Sequence, residues 1–230
     1  MTNPNLELLK VAARLLSPII DELVFVGGCA TGLLISDEAI ADVRPTFDVD
    51  AISEITSYAA YVDLSERLLG LGFFRDTSEG APLCRWLHGE TKLDVMPLDE
   101  NILGFSNRWY QSAITSAQEH QIEEGLRIRA VTAPYFYSTK LEAFNGRGEG
   151  DYMASHDLED LITVVDGRPQ LFEELRSAAE DVRSFIAKET GLLLETPQFI
   201  DAIPGYLLPD AASQGRVPLV VERLKEIAAL

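Results

Sequence analysis

The fold is decided by residues 25–52, which read FVGGCATGLLISDEAIADVRPTFDVDAI. A short apolar run ends at Gly27 and Gly28, and a second apolar run carries Asp48 and Asp50 one residue apart. Because successive side chains of a strand point to opposite faces, both carboxylates lie on one face of the predicted strand. Two like charges held this close repel each other unless a cation lies between them. The pattern therefore favours a cation site over a structural role.

A third candidate carboxylate, Asp94, lies in the sequence KLDVMPLD, where it alternates with Leu93 and Val95. If its strand lies beside the strand of the first two aspartates, three carboxylates gather at one surface of the sheet. Oxygen ligands of this kind suit Mg²⁺ or Mn²⁺. Two such ions can clamp the attacking and leaving oxygens of an in-line phosphoryl transfer.

The diglycine is the complementary part of the predicted site. Gly27 and Gly28 have no side chain, so the backbone can approach a phosphate closely. The start of the predicted helix that follows offers free N–H groups to the same phosphate. A diglycine alone is more often a turn, and an Asp-x-Asp pair alone is common on solvated strands. The combination carries the prediction.

Charge and composition limit the partners of the 230-residue chain. It has 37 acidic and 19 basic residues, a net charge of −18. Such a surface repels polyanions, so extended nucleic-acid binding is disfavoured unless a local groove is basic. No apolar run approaches the roughly 18 residues of a membrane span, and the N-terminus does not resemble a signal peptide. The two cysteines form no disulfide framework, so we expect a cytoplasmic protein without membrane contact.

The periodicity of the chain predicts an α+β fold: a mixed β-sheet flanked by helices, followed by a C-terminal helical region. We expect an α/β domain at residues 1–131 and a helical domain at residues 132–230. The predicted strands cover residues 23–27, 46–53, 72–76, 83–89, 92–98 and 125–132. The predicted helices cover about residues 4–20, 28–36, 56–72, 106–117, 134–147, 155–167, 168–189 and 219–230.

This order of elements resembles the DNA polymerase β-like nucleotidyltransferase superfamily. RPTFDVD with its upstream FVGGCATGLL is most similar to the AbiEii-type nucleotidyltransferases, many of which are toxins of toxin–antitoxin pairs. The segment TKLEAFNGRGEGDYMASHDLEDL in the helical half is similar to the Lys-Leu-x-Ala…Arg-Gly…Asp-x-x-Asp segment of that group. The resemblance covers about residues 23–166 and leaves the last sixty residues unplaced.

The resemblance implies a role for each matching residue. Gly27 and Gly28 would contact the phosphates of a nucleoside triphosphate. Asp48, Asp50 and Asp94 would hold the metal and form the catalytic centre, with Asp94 helping to activate the acceptor hydroxyl. Two further matches lie in the helical half. Lys140 would contact the triphosphate, and Asp157 and Asp160 would form the acidic pair of a closing helix. An antitoxin protein would be a partner, and the acceptor is unknown.

Alternatives stay open at this point. Lys140 fits a solvated helix flank, and the acidic pair fits simple stabilisation of a helix start. The sequence departs from the superfamily in one place: 19 residues separate Gly28 from Asp48, and SDEAIADV resembles an insertion. The rival functions are a catalytically degenerate binding module and a metal-dependent phosphohydrolase. The second would need histidine ligands or a water-activating base near the carboxylates, and the three histidines are scattered along the chain.

Overall fold

The computed structural model describes residues 3–37, 43–148 and 150–230. The chain divides into two compact units, one comprising Met1–Gly32 and Arg44–Thr132 and the other comprising Leu33–Val43 and Ala133–Leu230. Among the described residues, no helix has both the length and the apolar character that a bilayer crossing requires. Most of the proposed insertion SDEAIADV lies outside the described residues.

The first unit is built on a mixed sheet flanked by helices, which confirms the predicted α+β class. Its described strands are Leu23–Val26 (β1), Asp48–Ser53 (β2), Phe74–Arg75 (β3), Arg85–His88 (β4), Thr91–Pro97 (β5), Gln118–Glu123 (β6) and Leu126–Ala130 (β7). They lie in the order β3-β4-β5-β2-β1-β7-β6. β2 pairs in parallel with β5 and antiparallel with β1, so the middle of the sheet combines both directions.

The described helices of the first unit lie before and between these strands in the sequence. They are Pro4–Leu15 (α1), Gly27–Leu34 (α2, whose last residues belong to the second unit), Tyr58–Gly70 (α3), Glu100–Leu103 (α4) and Tyr110–Thr115 (α5). The first predicted helix is too long, because Ser17–Glu22 forms a 3₁₀ helix. Pro18 in that segment has no N–H for an α-helical hydrogen bond.

Helix α1 is fixed by its cap and by its apolar face. The Asn3 side chain accepts hydrogen bonds from the N–H groups of Asn5 and Leu6. Its apolar face is buried at Leu9, Ala12 and Ala13, and Leu16 is buried directly after the helix ends. Burial of each large aliphatic side chain in such a face contributes about 1.5–3 kcal/mol relative to exposure. This packing fixes the N-terminal residues beside the strands that carry the acidic side chains.

One strand of the sheet was not predicted. β6, Gln118–Glu123, lies at the edge, and among its residues Ile122 is the buried one. Its sequence QEHQIE lacks the apolar alternation that predicts a strand. An edge strand needs little apolar contact, so this alternation is not required there. It pairs antiparallel with β7 across a turn at Gly125, which has φ +74°.

The second unit is helical after residue 132. Its further helices are Ala133–Arg147 (α6), His156–Gly167 (α7), Leu171–Arg176 (α8), Glu180–Leu194 (α9), Pro197–Ala202 (α10), Ala211–Gln214 (α11) and Val217–Ala228 (α12), with a 3₁₀ helix at Ile203–Tyr206. The single helix predicted over residues 168–189 is wrong, because the backbone at Ala179 is extended at ψ 146°. Glu180 and Asp181 then open a new helix, where negative charge is favourable.

Candidate functional site

Three acidic side chains share one face at the centre of the sheet. Asp48 and Asp50 both lie on β2, and Asp50 is the register partner of Asp94 on β5. Neighbours in register point to the same side of a sheet, and residues two apart on a strand do so as well. Asp94 is buried, whereas Asp48 and Asp50 are half-buried. The parallel pairing of β2 with β5 therefore gathers all three carboxylates on one surface.

A guanidinium group lies between two of these carboxylates. Arg85 on β4 is the register partner of Asp94. Its Nε donates to Asp94 Oδ1 at 2.8 Å, and its Nη2 donates at 2.7 Å to both Asp94 Oδ2 and Asp48 Oδ2. Its hydrogen bonds to Asp94 raise the pKa of Arg85 above its usual value, so the group stays charged. Arg85 was not among the predicted site residues.

Gly27 approaches the acidic face from the start of α2. Its φ is +66°, a backbone conformation that other residues rarely adopt. A Cβ added at Gly27 would lie 2.0 Å from Asp50 Oδ2 and 2.9 Å from Asp50 Cβ. No L side chain therefore fits between the two residues. The same closeness brings the Gly27 backbone to the edge of the carboxylate group, in agreement with the predicted need for glycine there.

A network around Asn5 connects the diglycine to the aspartates. Asn5 is fully buried, and its Nδ2 donates to the carbonyls of Gly28 at 3.3 Å and of Arg44 at 3.0 Å. Its Oδ1 accepts from the Thr46 N–H at 2.9 Å, and the Thr46 hydroxyl donates to Asp48 Oδ1 at 2.9 Å. Asn5 thus positions both the glycine backbone and an aspartate. Sequence reasoning missed it, because nothing in the N-terminal sequence distinguishes it from a helix cap.

The two cysteines beside this surface are buried. The Cys29 thiol donates to the Val26 carbonyl at 3.1 Å. Burial, reinforced by the charges of Asp94 and Asp50, raises the pKa of the Cys84 thiol to about 12. A thiol in this state is not a nucleophile at neutral pH.

The three carboxylates suit a divalent cation, and Arg85 already forms ion pairs with two of them, Asp48 and Asp94. Three carboxylates on one face are the oxygen ligands that Mg²⁺ or Mn²⁺ prefer. Within the part of the chain that the structure describes, however, no three acidic, histidine or cysteine side chains are already arranged around a common metal position. The assignment of Asp48, Asp50 and Asp94 as metal ligands remains a prediction.

The other predicted residues form a separate cluster within the second unit. Lys140 on α6 is buried, and its Nζ donates to Asp157 Oδ1 at 3.1 Å and to Asp160 Oδ2 at 2.6 Å. Arg147 also donates to Asp157. Burial pushes the pKa of Asp157 upward, but Lys140 and Arg147 outweigh it and leave the pKa below its ordinary value. Lys140 is therefore not on a solvated flank, and its contact with a triphosphate remains a prediction.

His88 and Tyr137 have structural surroundings. His88 packs against Phe73 with ring centroids 5.2 Å apart. Tyr137 is fully buried and hydrogen-bonds to the Thr190 hydroxyl at 3.1 Å, so it belongs to the core.

Comparison with known proteins identifies the fold. No protein-family model matches the chain, and no curated protein matches it significantly. Among the solved structures that resemble it is an antigenic nucleotidyltransferase-like protein from Paracoccidioides brasiliensis (TM-score 0.52, 19% identity, 91% of this chain and 96% of that one). Another is a putative nucleotidyltransferase from H. pylori (TM-score 0.50, 12% identity, 100% of this chain and 95% of that one). The chain therefore has a nucleotidyltransferase-like fold.

Proposed function

We propose that the protein is a metal-dependent nucleotidyltransferase that transfers a nucleoside monophosphate from a nucleoside triphosphate to an acceptor hydroxyl. One observation carries the proposal: Asp48, Asp50 and Asp94 share one face of two paired strands, and Gly27 lies directly against Asp50. A fold shared with nucleotidyltransferase-like proteins supports it. The three carboxylates would hold Mg²⁺ or Mn²⁺, which supplies charge neutralisation to the phosphates.

The residues of this chain would then position the reactants. The backbone at Gly27 and Gly28 would lie along the phosphates, because no Cβ blocks the approach and α2 begins there. The acceptor oxygen forms a bond to the α-phosphorus, the bond from that phosphorus to the bridging oxygen breaks, and pyrophosphate leaves with the electron pair. The hydroxyl proton passes to a carboxylate oxygen of Asp94. Positioning and electrostatics account for catalysis of this kind.

The proposed identity as a toxin rests on the similarity to the AbiEii-type enzymes. In that case the acceptor is an RNA or a protein and an antitoxin is the natural partner, whereas a net charge of −18 favours a protein or a small molecule. Controlled expression in a bacterial host tests this point. We expect growth to stop with the wild type and to continue with Asp48→Ala. Continued growth with both proteins, at equal expression, would contradict the toxin role alone.

A catalytically degenerate binding module is the second candidate, and one observation favours it. Arg85 already engages Asp48 and Asp94 in the way that a metal would. A module that senses nucleotide would bind it as the enzyme does, and a module that serves partner interaction would not. The enzyme alone predicts release of pyrophosphate.

The first test of the proposed function does not depend on the unknown acceptor. Thermal unfolding is measured with each of the four ribonucleoside triphosphates, with and without Mg²⁺. A ligand at about 100 times its Kd adds about 2.7 kcal/mol of stability. We expect a Mg²⁺-dependent shift in the wild type and in Asp63→Ala, an exposed aspartate of α3, and its loss in Asp48→Ala/Asp50→Ala. No shift with any triphosphate would contradict the proposed function.

A further inference from the structure

We propose that Arg85 is the resident cation of the acidic face, and that a divalent ion binds there by displacing its guanidinium group. The inference rests on the proposed function for the identity of the incoming cation. It concerns a residue that lies outside the carboxylate set and has the opposite charge. Its consequence is that the affinity for metal is set by Arg85 as well as by the ligands.

The hydrogen bonds show that Arg85 competes directly for the ligand atoms. Both oxygens of Asp94 and Oδ2 of Asp48 accept from the guanidinium. The remaining oxygen of Asp48 accepts from the Thr46 hydroxyl. All four oxygens of these two carboxylates therefore have an intramolecular donor. A metal ion that coordinates Asp94 would use the second lone pairs of the same oxygens and would meet the positive charge of Arg85 directly beside it.

The geometry is that of a strong interaction. Nε and Nη2 contact the two oxygens of Asp94 as a fork, which is the preferred arrangement of arginine with a carboxylate. Nη2 also reaches the neighbouring strand at Asp48, so one group compensates charges on β2 and β5. The Arg85 side chain retains 16% of its surface, so it is partly open to solvent. The charges of Asp48 and Asp94 are thus compensated without metal.

The inference is tested with Mn²⁺ alone, in the absence of nucleotide and acceptor. Arg85→Met keeps the length of the side chain and removes its charge. We expect this variant to unfold at a lower temperature than the wild type without metal, because Asp48 and Asp94 then lose their guanidinium partner. We expect calorimetry to show Mn²⁺ binding about tenfold tighter or more, since no bond to guanidinium has to break.

Arg75→Met is the matched control. Arg75 lies on the adjacent strand β3, stacks on Tyr61 and Trp86, and donates to the Leu83 carbonyl and the Ser65 hydroxyl. We expect this variant to lose stability with an unchanged affinity for Mn²⁺. If Arg85→Met does not fold, Arg85→Lys replaces it. A single ammonium cannot reproduce the fork, and we expect tighter Mn²⁺ binding than in the wild type.

The outcomes separate this inference from the proposed function. If the wild type binds Mn²⁺ and the Arg85 variant binds it equally or more weakly, Arg85 is not a competitor and the inference is wrong, while the metal site stands. If neither protein binds Mn²⁺, the proposed metal-dependent function is wrong and the inference falls with it.

Discussion

Replacement of Gly27 by alanine tests the geometry of the candidate site most directly. The new methyl group would lie 2.0 Å from Asp50 Oδ2, about 1.4 Å short of an ordinary contact of 3.4 Å. Rotation of the carboxylate does not relieve the clash, because Asp50 Cβ would also lie 2.9 Å away. The strand or the start of α2 must therefore shift.

The magnitude follows from two separate terms. A non-glycine residue at φ +66° costs about 1–2 kcal/mol, and overpacking of this kind costs a further 1–3 kcal/mol or so. We expect Gly27→Ala to lower the free energy of unfolding by about 2–5 kcal/mol, measured by urea denaturation. Displacement of a positioned group by about 1 Å reduces turnover about 100-fold, and we expect a loss of this order in pyrophosphate release.

Gly125→Ala measures the cost of a positive φ at a non-glycine residue without the steric clash. Gly125 has φ +74°, and a Cβ added there would meet no atom within 4 Å. We expect this variant to lose about 1–2 kcal/mol and to retain Mn²⁺ binding and activity. If Gly27→Ala and Gly125→Ala lose the same stability and both retain Mn²⁺ binding, the proposed contact between the glycine and Asp50 is wrong.

Three further predictions concern titratable groups. Lys140→Met should lower the free energy of unfolding by about 3–5 kcal/mol, because two buried carboxylates lose their shared ammonium partner. The same change at the exposed Lys188 should cost less than about 0.5 kcal/mol, and equal losses would contradict the buried ion pair. The pKa of Asp157 is lowered by folding, so its contribution to stability is complete above the unfolded value of about 3.9 and is lost as the pH falls through the folded value. Urea denaturation between pH 2 and 6 should therefore show a shallower acid loss in Asp157→Asn than in the wild type, and parallel curves would refute this. Cys84 should react with a thiol reagent at pH 8 only on unfolding, because its pKa of about 12 keeps it protonated; rapid labelling of the native Cys29→Ala variant would contradict that value.

The acidic face could be predicted because strand periodicity is a local property. Alternation alone places Asp48 and Asp50 on one side of β2 and separates Asp94 from its apolar neighbours. The pairing of β2 with β5 could not be predicted from the sequence, since register between distant strands depends on tertiary packing.

The position of Arg85 beside Asp94 had a weak signal in the sequence. β4 and β5 are joined by a two-residue turn at Gly89 and Glu90, with His88 opposite Thr91. Counting back from that turn places Arg85 opposite Asp94. Asn5 had no such signal, because its contacts lie 23 to 41 residues away along the chain. The burial of Lys140 was missed because its aliphatic stem and charged tip fit both a core and a surface position.

The tight turn between β4 and β5 has a consequence for the order of folding. Arg85 and Asp94 lie nine residues apart in a hairpin, whereas Asp48 lies 37 residues from Arg85. Because local hairpins close before strands of distant sequence meet, we expect the first ion pair to exist before β2 arrives. The carboxylates then never meet without a counterion during assembly. Stopped-flow refolding of Arg85→Met should be slower than that of the wild type, with the difference shrinking at high salt.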